Sequence, residues 1–257
     1  MPAAFLRKAI RLGLQKAGYD VIPYDPEKDF NDADLREEDA ATGILSAVGP
    51  YTMTSRASVS AVCAAVRHVE RDAIDGAIVE CGVWRGGLMM AAARQLLADH
   101  GPTRELWLYD TFDGLPEPGR FDVARRGIPA AEALAENTDA EGKSCRAGLA
   151  EVRRNMASTG YPAEKVRYIE GMVEATIPAT IPDKIAVLRL DTDFYSSTAH
   201  ELTHLYPRLS IGGVLIIDDY GYWAGARKAT DEFLERQAPG LLLCRIDHSA
   251  RIAVRYR

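Results

Sequence analysis

The segment AIVECGVWRGG, residues 77–87, decides the fold. A short apolar run ends in Glu80, Cys81 and Gly82, and two further glycines follow at Gly86 and Gly87. Such a run is typical of a buried strand that enters a tight turn. Apolar residues recur at helical spacing on both sides of the run, so the strand is predicted to lie between two helices. Ser55 or Thr54 could cap the first of them.

The same alternation of strand and helix continues along the chain, which predicts right-handed crossovers and a mostly parallel sheet. The last segment, 241–257, indicates two strands joined by a short turn at 248–250. We therefore predict an α/β fold in which an antiparallel hairpin closes the sheet. The other predicted strands are 106–110, 165–171, 185–191 and 212–219, and the helices after the first are 88–98, 149–158, one ending at 209, and 226–236.

The predicted domains are an N-terminal arm, 1–50, and a catalytic domain, 51–257. The arm begins with mixed basic and apolar residues, for which a packed amphipathic helix is favoured over a membrane-surface helix. Residues 116–145 form a long aperiodic stretch that we interpret as a lid. A net charge of −6 argues against nucleic acid as a partner, and there is no apolar run typical of a signal peptide or membrane span. With four scattered cysteines, the chain is predicted to be cytoplasmic.

The acids at the strand ends are the first candidate binding residues, because ligands of parallel sheets bind beyond the carboxyl ends of strands. The turn after Glu80 has neither the GxGxxG pattern nor the lysine of a phosphate loop. Asp110, which ends the next strand, could accept hydrogen bonds from both hydroxyls of a ribose. This pairing favours a nucleoside without phosphates, and S-adenosylmethionine is one. The alternative is a purely structural turn.

Four further carboxylates end two later strands: Asp191 and Asp193 follow one, and Asp218 and Asp219 follow the other. Pairing with arginines or capping of the following helices could explain some of them. A hard divalent cation such as Mg²⁺ would explain all of them and is our preferred interpretation. Asp191 is then the first candidate for the base that takes a proton from an acceptor hydroxyl, and Asp193 could assist.

A competing motif, HELTH at 200–204, fits the HExxH zinc signature of metalloproteases. On a helix, both histidines lie nearly opposite the apolar face that contains Leu202 and Leu205, so they are predicted to face solvent. No third ligand pattern accompanies them, and we treat the match as accidental. Aromatic residues that could wall an acceptor pocket, or simply pack in the core, are Tyr51, Trp84, Tyr220, Tyr222 and Trp223.

The chain resembles the macrocin O-methyltransferase family, whose members methylate deoxysugar hydroxyls on antibiotics and other glycosides. The matching blocks are PYTMTS (50–55), VECGVWRGG (79–87), LYDTFDGLPEP (108–118), EGMVEATIP (170–178), LRLDTDFYSST (188–198) and YPRLSIGGVLIIDDY (206–220). The resemblance implies a seven-stranded, Rossmann-like class I methyltransferase fold. It also implies Mg²⁺ ligands at Asp191, Asp218 and Asp219. The implied cofactor contacts are Met53, Glu80, Cys81, Gly82, Val83, Trp84, Asp110, Thr111, Phe112, Gly171 and Met172.

These inferences lead us to expect an enzyme that methylates a sugar hydroxyl of a glycosylated natural product, with S-adenosylmethionine and Mg²⁺ as cofactors. Methylation of a catechol-like diol, whose hydroxyls the same metal could bind, is the first alternative. A non-catalytic S-adenosylmethionine-binding protein is the second. We expect a small-molecule glycoside as acceptor, no membrane partner, and a homodimer or higher homo-oligomer, the commonest states of soluble enzymes.

Overall fold

The computed structural model describes residues 33–125, 127–135, 138 and 145–257. The predicted N-terminal amphipathic helix lies outside this range, as does part of the predicted lid. The chain separates into a unit that ends at Ala41 and a compact unit that spans Thr42–Arg257. Helix α1 (Ala33–Thr42) begins in the first unit. Every described helix is too short or too polar to cross a bilayer.

A seven-stranded sheet forms the centre of the second unit. Its strands are β1 (Ala77–Cys81), β2 (Leu106–Asp110), β5 (Val166–Glu170), β6 (Ile185–Leu190), β7 (Leu209–Ile217), β8 (Cys244–Arg245) and β9 (Arg251–Val254). They lie in the order β5-β2-β1-β6-β7-β9-β8. The first five strands in that order run parallel, whereas β9 pairs antiparallel with both β7 and β8. The prediction of a mostly parallel sheet closed by a C-terminal hairpin is confirmed.

The predicted helices lie close to their predicted bounds, except that the helix predicted to end at 209 ends at Leu205, because a 3₁₀ turn at Tyr206–Arg208 leads into the strand that begins at Leu209. Ser55 caps the helix that begins at Arg56, since its side chain accepts a hydrogen bond from the Ser58 amide. The helices are α2 (Ile44–Val48), α3 (Arg56–Arg71), α4 (Gly87–Asp99), α6 (Leu149–Ala157), α7 (Val173–Thr176), α8 (Tyr195–Leu205) and α9 (Ala224–Gln237), with 3₁₀ turns at Gly49–Tyr51, Ala163–Lys165 and Tyr206–Arg208.

The core lies on the central strands. Every residue of β1 and β6 is buried, as expected for parallel strands with helices on both faces. In register, Cys81 at the end of β1 is paired with Leu190 at the end of β6. The carboxyl ends of the two strands therefore coincide, and the polar residues that follow them share one edge of the sheet.

The predicted lid contains more regular structure than its sequence indicated. Short strands β3 (Val123–Ala124) and β4 (Ile128–Pro129) pair antiparallel, and helix α5 (Ala130–Ala135) follows. Ala124 and Ala130 pack in a small apolar cluster with Phe194 and Trp223. Elements this short show no detectable period, which explains why the sequence indicated only a loop.

Candidate active site

A cavity of about 480 Å³ opens at the carboxyl ends of the parallel strands. Two residues expected to contact the cofactor, Cys81 and Phe112, are buried and do not line this cavity. Met53 and Met172 line it but remain 63% and 38% exposed. The expected site residues that line this cavity are Met53, Glu80, Gly82, Val83, Trp84, Asp110, Thr111, Gly171, Met172, Asp191, Asp218 and Asp219.

The glycine turn after β1 brings two loops into contact. Gly82 has φ +80°, and a Cβ there would overlap the backbone oxygen of Asp191. Glycine is therefore required at position 82 for two reasons: the backbone conformation and the close approach of the neighbouring loop. Trp84 also has a positive φ, 45°. Strained backbone of this kind persists only where the surrounding structure holds it.

Asp110 holds this turn through its carboxylate. Oδ2 accepts hydrogen bonds from the amides of Val83 (2.8 Å) and Trp84 (3.0 Å), and Oδ1 accepts one from the amide of Phe112 (2.7 Å). Burial raises the pKa of Asp110, and these bonds oppose the rise. The Thr111 hydroxyl lies 3.4 Å from Oδ1, but its one proton is better placed for the carbonyl oxygen of Gly114 at 2.7 Å. With two lone pairs per oxygen, Oδ1 then keeps one for a ribose hydroxyl. Contact with both hydroxyls, as the sequence predicted, requires one of the backbone donors to move.

The acids after β6 and β7 converge. Asp191, Asp218 and Asp219 each offer an oxygen within 4.8 Å of the others. Asp219 accepts a hydrogen bond from the Asp193 amide (3.0 Å), and Asp193 accepts one from the indole of Trp223 (2.6 Å). The N-cap positions of α8 and α9 are Phe194 and Trp223, without side-chain capping bonds. Helix capping therefore does not explain these aspartates.

Arg189, which was not predicted as a site residue, pairs with some of these acids, as one alternative to a metal site expected. Its guanidinium is 3% exposed and bonds to Asp191 (2.8 Å), Asp218 (2.6 Å) and Glu80. A lone charged residue inside the apolar run IAVLRLD was the available signal. One cation cannot neutralise all the acids of this cluster. Burial raises the pKa of Glu80 to about 7 even with Arg189 beside it, and it raises the pKa of Asp219 well above its usual value.

The acids of this cluster outnumber the one cation, Arg189, so a further cation would compensate the remaining negative charge. The oxygen donors of Asp191, Asp218 and Asp219 are the ligand type that Mg²⁺ prefers, and they lie close enough to share one ion. Arg189 engages one oxygen of Asp191 and one of Asp218, but it does not bond to Asp219. The residues present therefore fit a divalent cation.

The HELTH histidines do not form a zinc site. His200 Nε2 lies 2.9 Å from the carbonyl oxygen of Ile177, and the rings of His200 and His204 are 4.5 Å apart. Both are half-buried rather than fully solvated. Among the described residues, neither belongs to a group of three metal-type ligands. Glu201, between them, is fully buried.

A turn that sequence reasoning did not assign to the site completes the cavity wall. Asp247, His248 and Ser249, between β8 and β9, line it. Asp247 accepts hydrogen bonds from Ser55 and Ser58 at the start of α3, which joins the C-terminal hairpin to the first crossover helix. The aromatic candidates Tyr51, Trp84, Tyr222 and Trp223 also line the cavity, whereas Tyr220 packs against the main core.

The sequence pattern of the Macrocin-O-methyltransferase family matches residues 20–255, which is most of the chain. The chain belongs to this family. It is thus an O-methyltransferase, and membership in the Macrocin-O-methyltransferase family implies S-adenosylmethionine as the methyl donor.

Relatives with assigned activities agree with the family. The chain is 33% identical over 202 residues to demethyldecarbamoylnovobiocin O-methyltransferase of Streptomyces niveus, covering 79% of this chain and 74% of that protein. It is 36% identical over 188 residues to 8-demethyl-8-(2,3-dimethoxy-alpha-L-rhamnosyl)-tetracenomycin-C 4'-O-methyltransferase of Streptomyces olivaceus, covering 72% and 69%. The solved O-methyltransferase NovP superimposes with a TM-score of 0.71 at 31% identity, covering 80% and 83%. All three are named as O-methyltransferases, and the name of the second specifies a rhamnosyl group on tetracenomycin C.

Proposed function

We propose that this enzyme transfers a methyl group from S-adenosylmethionine to a hydroxyl of a deoxysugar on a glycosylated natural product. We further propose that it requires Mg²⁺, with Asp191, Asp218 and Asp219 as ligands. The observation that carries the proposal is the convergence of these three carboxylates in the cavity that the glycine turn also lines. A relative whose name specifies a rhamnosyl acceptor supports the sugar.

The glycine-turn half of the cavity suits the cofactor. S-adenosylmethionine supplies a methyl group on a sulfonium, and its positive charge favours an acidic surrounding. Gly82 and Gly171, without side chains, leave the backbone open to it, and Asp110 keeps an oxygen lone pair for a ribose hydroxyl. Met53 and Met172 offer flexible apolar side chains that could pack against the adenine ring of the cofactor.

The acid half of the cavity suits the acceptor. Mg²⁺ bound there would lower the pKa of a coordinated hydroxyl and fix its position. Removing the proton then falls to a carboxylate of the chain. Asp191, our first candidate, already bonds to Arg189 and is also a proposed ligand. Asp193 lines the same cavity, is not one of the proposed ligands and is oriented by the Trp223 indole, so we propose it as the better candidate for the base.

Calorimetric titration with S-adenosylmethionine and then Mg²⁺ tests both cofactors. We expect wild type to bind both and an Asp218→Ala, Asp219→Ala double variant to bind only S-adenosylmethionine. Asp183→Ala, at an exposed carboxylate, is the matched control and should bind both. If wild type binds no Mg²⁺, the metal proposal is wrong.

A screen with matched acceptors then tests the substrate class. Deoxysugar glycosides, catechols and the free aglycones are incubated with the loaded enzyme, and transfer of labelled methyl is measured. We expect turnover only with glycosides. Turnover of catechols alone would favour the aromatic diol, and binding of the cofactor without turnover of any acceptor would favour a non-catalytic binding protein. Light scattering of the same preparation tests the predicted homo-oligomer.

A further inference from the structure

The glutamate of the HELTH motif is a buried acid without a paired cation. Glu201 is 0% exposed, and in the described part of the chain no lysine, arginine or histidine forms an ion pair with it. One oxygen, Oε1, accepts a hydrogen bond from the hydroxyl of Thr192 (2.9 Å). The other, Oε2, is buried without a hydrogen-bond partner. An isolated carboxylate in such a place is strongly disfavoured unless it is protonated.

The surroundings of Glu201 support a neutral carboxyl. Burial raises its pKa well above the usual value, the hydroxyl of Thr192 opposes this rise, and the nearby carboxylate of Glu174 adds to it. The buried thiol of Cys81 faces the same group and, like the Thr192 hydroxyl, opposes the rise in the pKa of Glu201, but the effect of burial is the largest. Full burial and the unpartnered Oε2 therefore favour the neutral, hydrogen-bonding form of Glu201 beneath the active site.

Thr192 connects Glu201 to the site, because it lies between Asp191 and Asp193. Its carbonyl oxygen accepts a hydrogen bond from the Phe194 amide (2.8 Å), and Asp193 between them has φ +68°. A bond from residue i+2 to residue i around a positive central φ is a γ-turn of the rare, strained kind. Such a turn persists only where its neighbours hold it.

Helix α8 supplies those neighbours. The Ser197 hydroxyl shares its proton between the carbonyl oxygens of Thr192 (3.2 Å) and Phe194 (3.1 Å), which are the two ends of this turn. Glu201, one turn further along the helix, accepts from the Thr192 side chain. The main chain and the side chain of Thr192 are therefore both attached to the same rigid element. The aspartate that follows in the turn lines the cavity.

We propose that Glu201 is a positioning residue for methyl transfer: by holding Thr192 it maintains the strained turn that presents Asp193 to the acceptor. This rests on the proposed function insofar as Asp193 acts on an acceptor, but the attachment of the turn can be measured without turnover. The HELTH glutamate then acts through hydrogen bonding and has no role at a metal.

The experiment compares three variants. Glu201→Gln is neutral and keeps an oxygen for Thr192, so it should retain the turnover number of wild type. Glu201→Leu fills similar space without an acceptor, and Thr192→Val removes the donor. Both should lower kcat on the order of tenfold to a hundredfold, the scale expected when a reacting group is displaced by about 1 Å. The KM for S-adenosylmethionine should not change. The double variant Glu201→Leu, Thr192→Val should lower kcat no more than either single substitution does.

Hydrogen exchange of the Phe194 amide provides the readout that does not depend on an acceptor. We expect faster exchange in Glu201→Leu and Thr192→Val, and wild-type exchange in Glu201→Gln. Thr203→Val, on the exposed face of the same helix, is the matched control and should change neither quantity. If Glu201→Leu does not fold, kcat and the exchange of the Phe194 amide in Thr192→Val are the test.

Two outcomes would overturn the proposal. The first is wild-type kcat and exchange in Thr192→Val, which would mean that the hydroxyl bond does not hold the turn. The second is Glu201→Gln as impaired as Glu201→Leu, which would mean that the acid itself is needed. If wild type turns over no acceptor but the exchange results hold, the proposed function fails while the attachment of the turn stands.

Discussion

Replacing Arg189 with methionine tests the electrostatic organisation of the site. The guanidinium is the cation that joins the ends of β1, β6 and β7, through Glu80, Asp191 and Asp218. Methionine keeps an unbranched chain of similar length but removes the charge and the donors. The carboxylates remain, and the pair with Glu80 is the most buried, with the two side chains 3% and 2% exposed.

The expected loss of stability is large. Removing one partner of a buried ion pair costs about 3–5 kcal/mol, because it leaves an uncompensated charge. For a chain of this size, each kcal/mol lowers Tm by about 2–4 °C, so the midpoint should fall by roughly 6–20 °C. Arg167→Met is the matched control. Its pair with Glu105 is 51% and 41% exposed, and such surface pairs contribute about 0–1 kcal/mol.

The loss should depend on pH in a defined direction. Burial already raises the pKa of Glu80 to about 7, and without Arg189 that pKa rises further. A carboxyl with a raised folded-state pKa contributes stability below its unfolded pKa and loses that contribution as pH rises through the folded value. The deficit of the variant should therefore be larger at about pH 8 than at about pH 5.

Urea unfolding at both pH values, with and without Mg²⁺, is the assay. If Mg²⁺ binds the cluster as proposed, an ion concentration of about a hundredfold over Kd should restore about 2.7 kcal/mol. An Arg189→Met protein that unfolds like the Arg167→Met control at both pH values would refute the role of Arg189 as the buried counter-ion.

Three further substitutions have expected outcomes. Gly82→Ala should destabilise by about 2–4 kcal/mol in urea unfolding, since overlap with the Asp191 backbone adds to the positive φ, whereas Gly101→Ala, with open space around it, should cost only about 1–2 kcal/mol. Trp223→Phe removes the indole donor that lowers the pKa of Asp193, so the rise of kcat with pH should move to higher pH, and an unchanged profile would argue against Asp193 as the base. Asp110→Asn turns a donor towards the backbone amides and should weaken S-adenosylmethionine binding on the order of tenfold or more by calorimetry.

Much of the fold could be predicted from local pattern. Apolar runs that end in a polar residue marked β1, β2, β6 and β7, and the spacing of apolar residues marked the helices between them. The hairpin of β8 and β9 was recognisable from two strand patterns around a short turn. The short elements within 116–145 were not predictable, because two-residue strands carry no period.

The candidate site was predictable only in part. Parallel strands bring their carboxyl ends to one edge of the sheet, so acids that end separate strands are expected to meet. Asp110, Asp191, Asp218 and Asp219 were predicted on this basis, and the structure places them along one cavity. Asp247 could not be predicted in this way, since its place in the cavity wall depends on where β9 and β8 join the sheet.

The sequence by itself determined the alternation of elements and the residue types at strand ends, because both follow from short-range periodicity. Tertiary structure decided which charges are compensated: Arg189 bonds to acids from three strands only because β1, β6 and β7 are neighbours in register. It also decided that Glu201 faces inward beneath the Asp193 turn. Side-chain partners of this kind depend on the order and register of distant segments, which no local pattern contains.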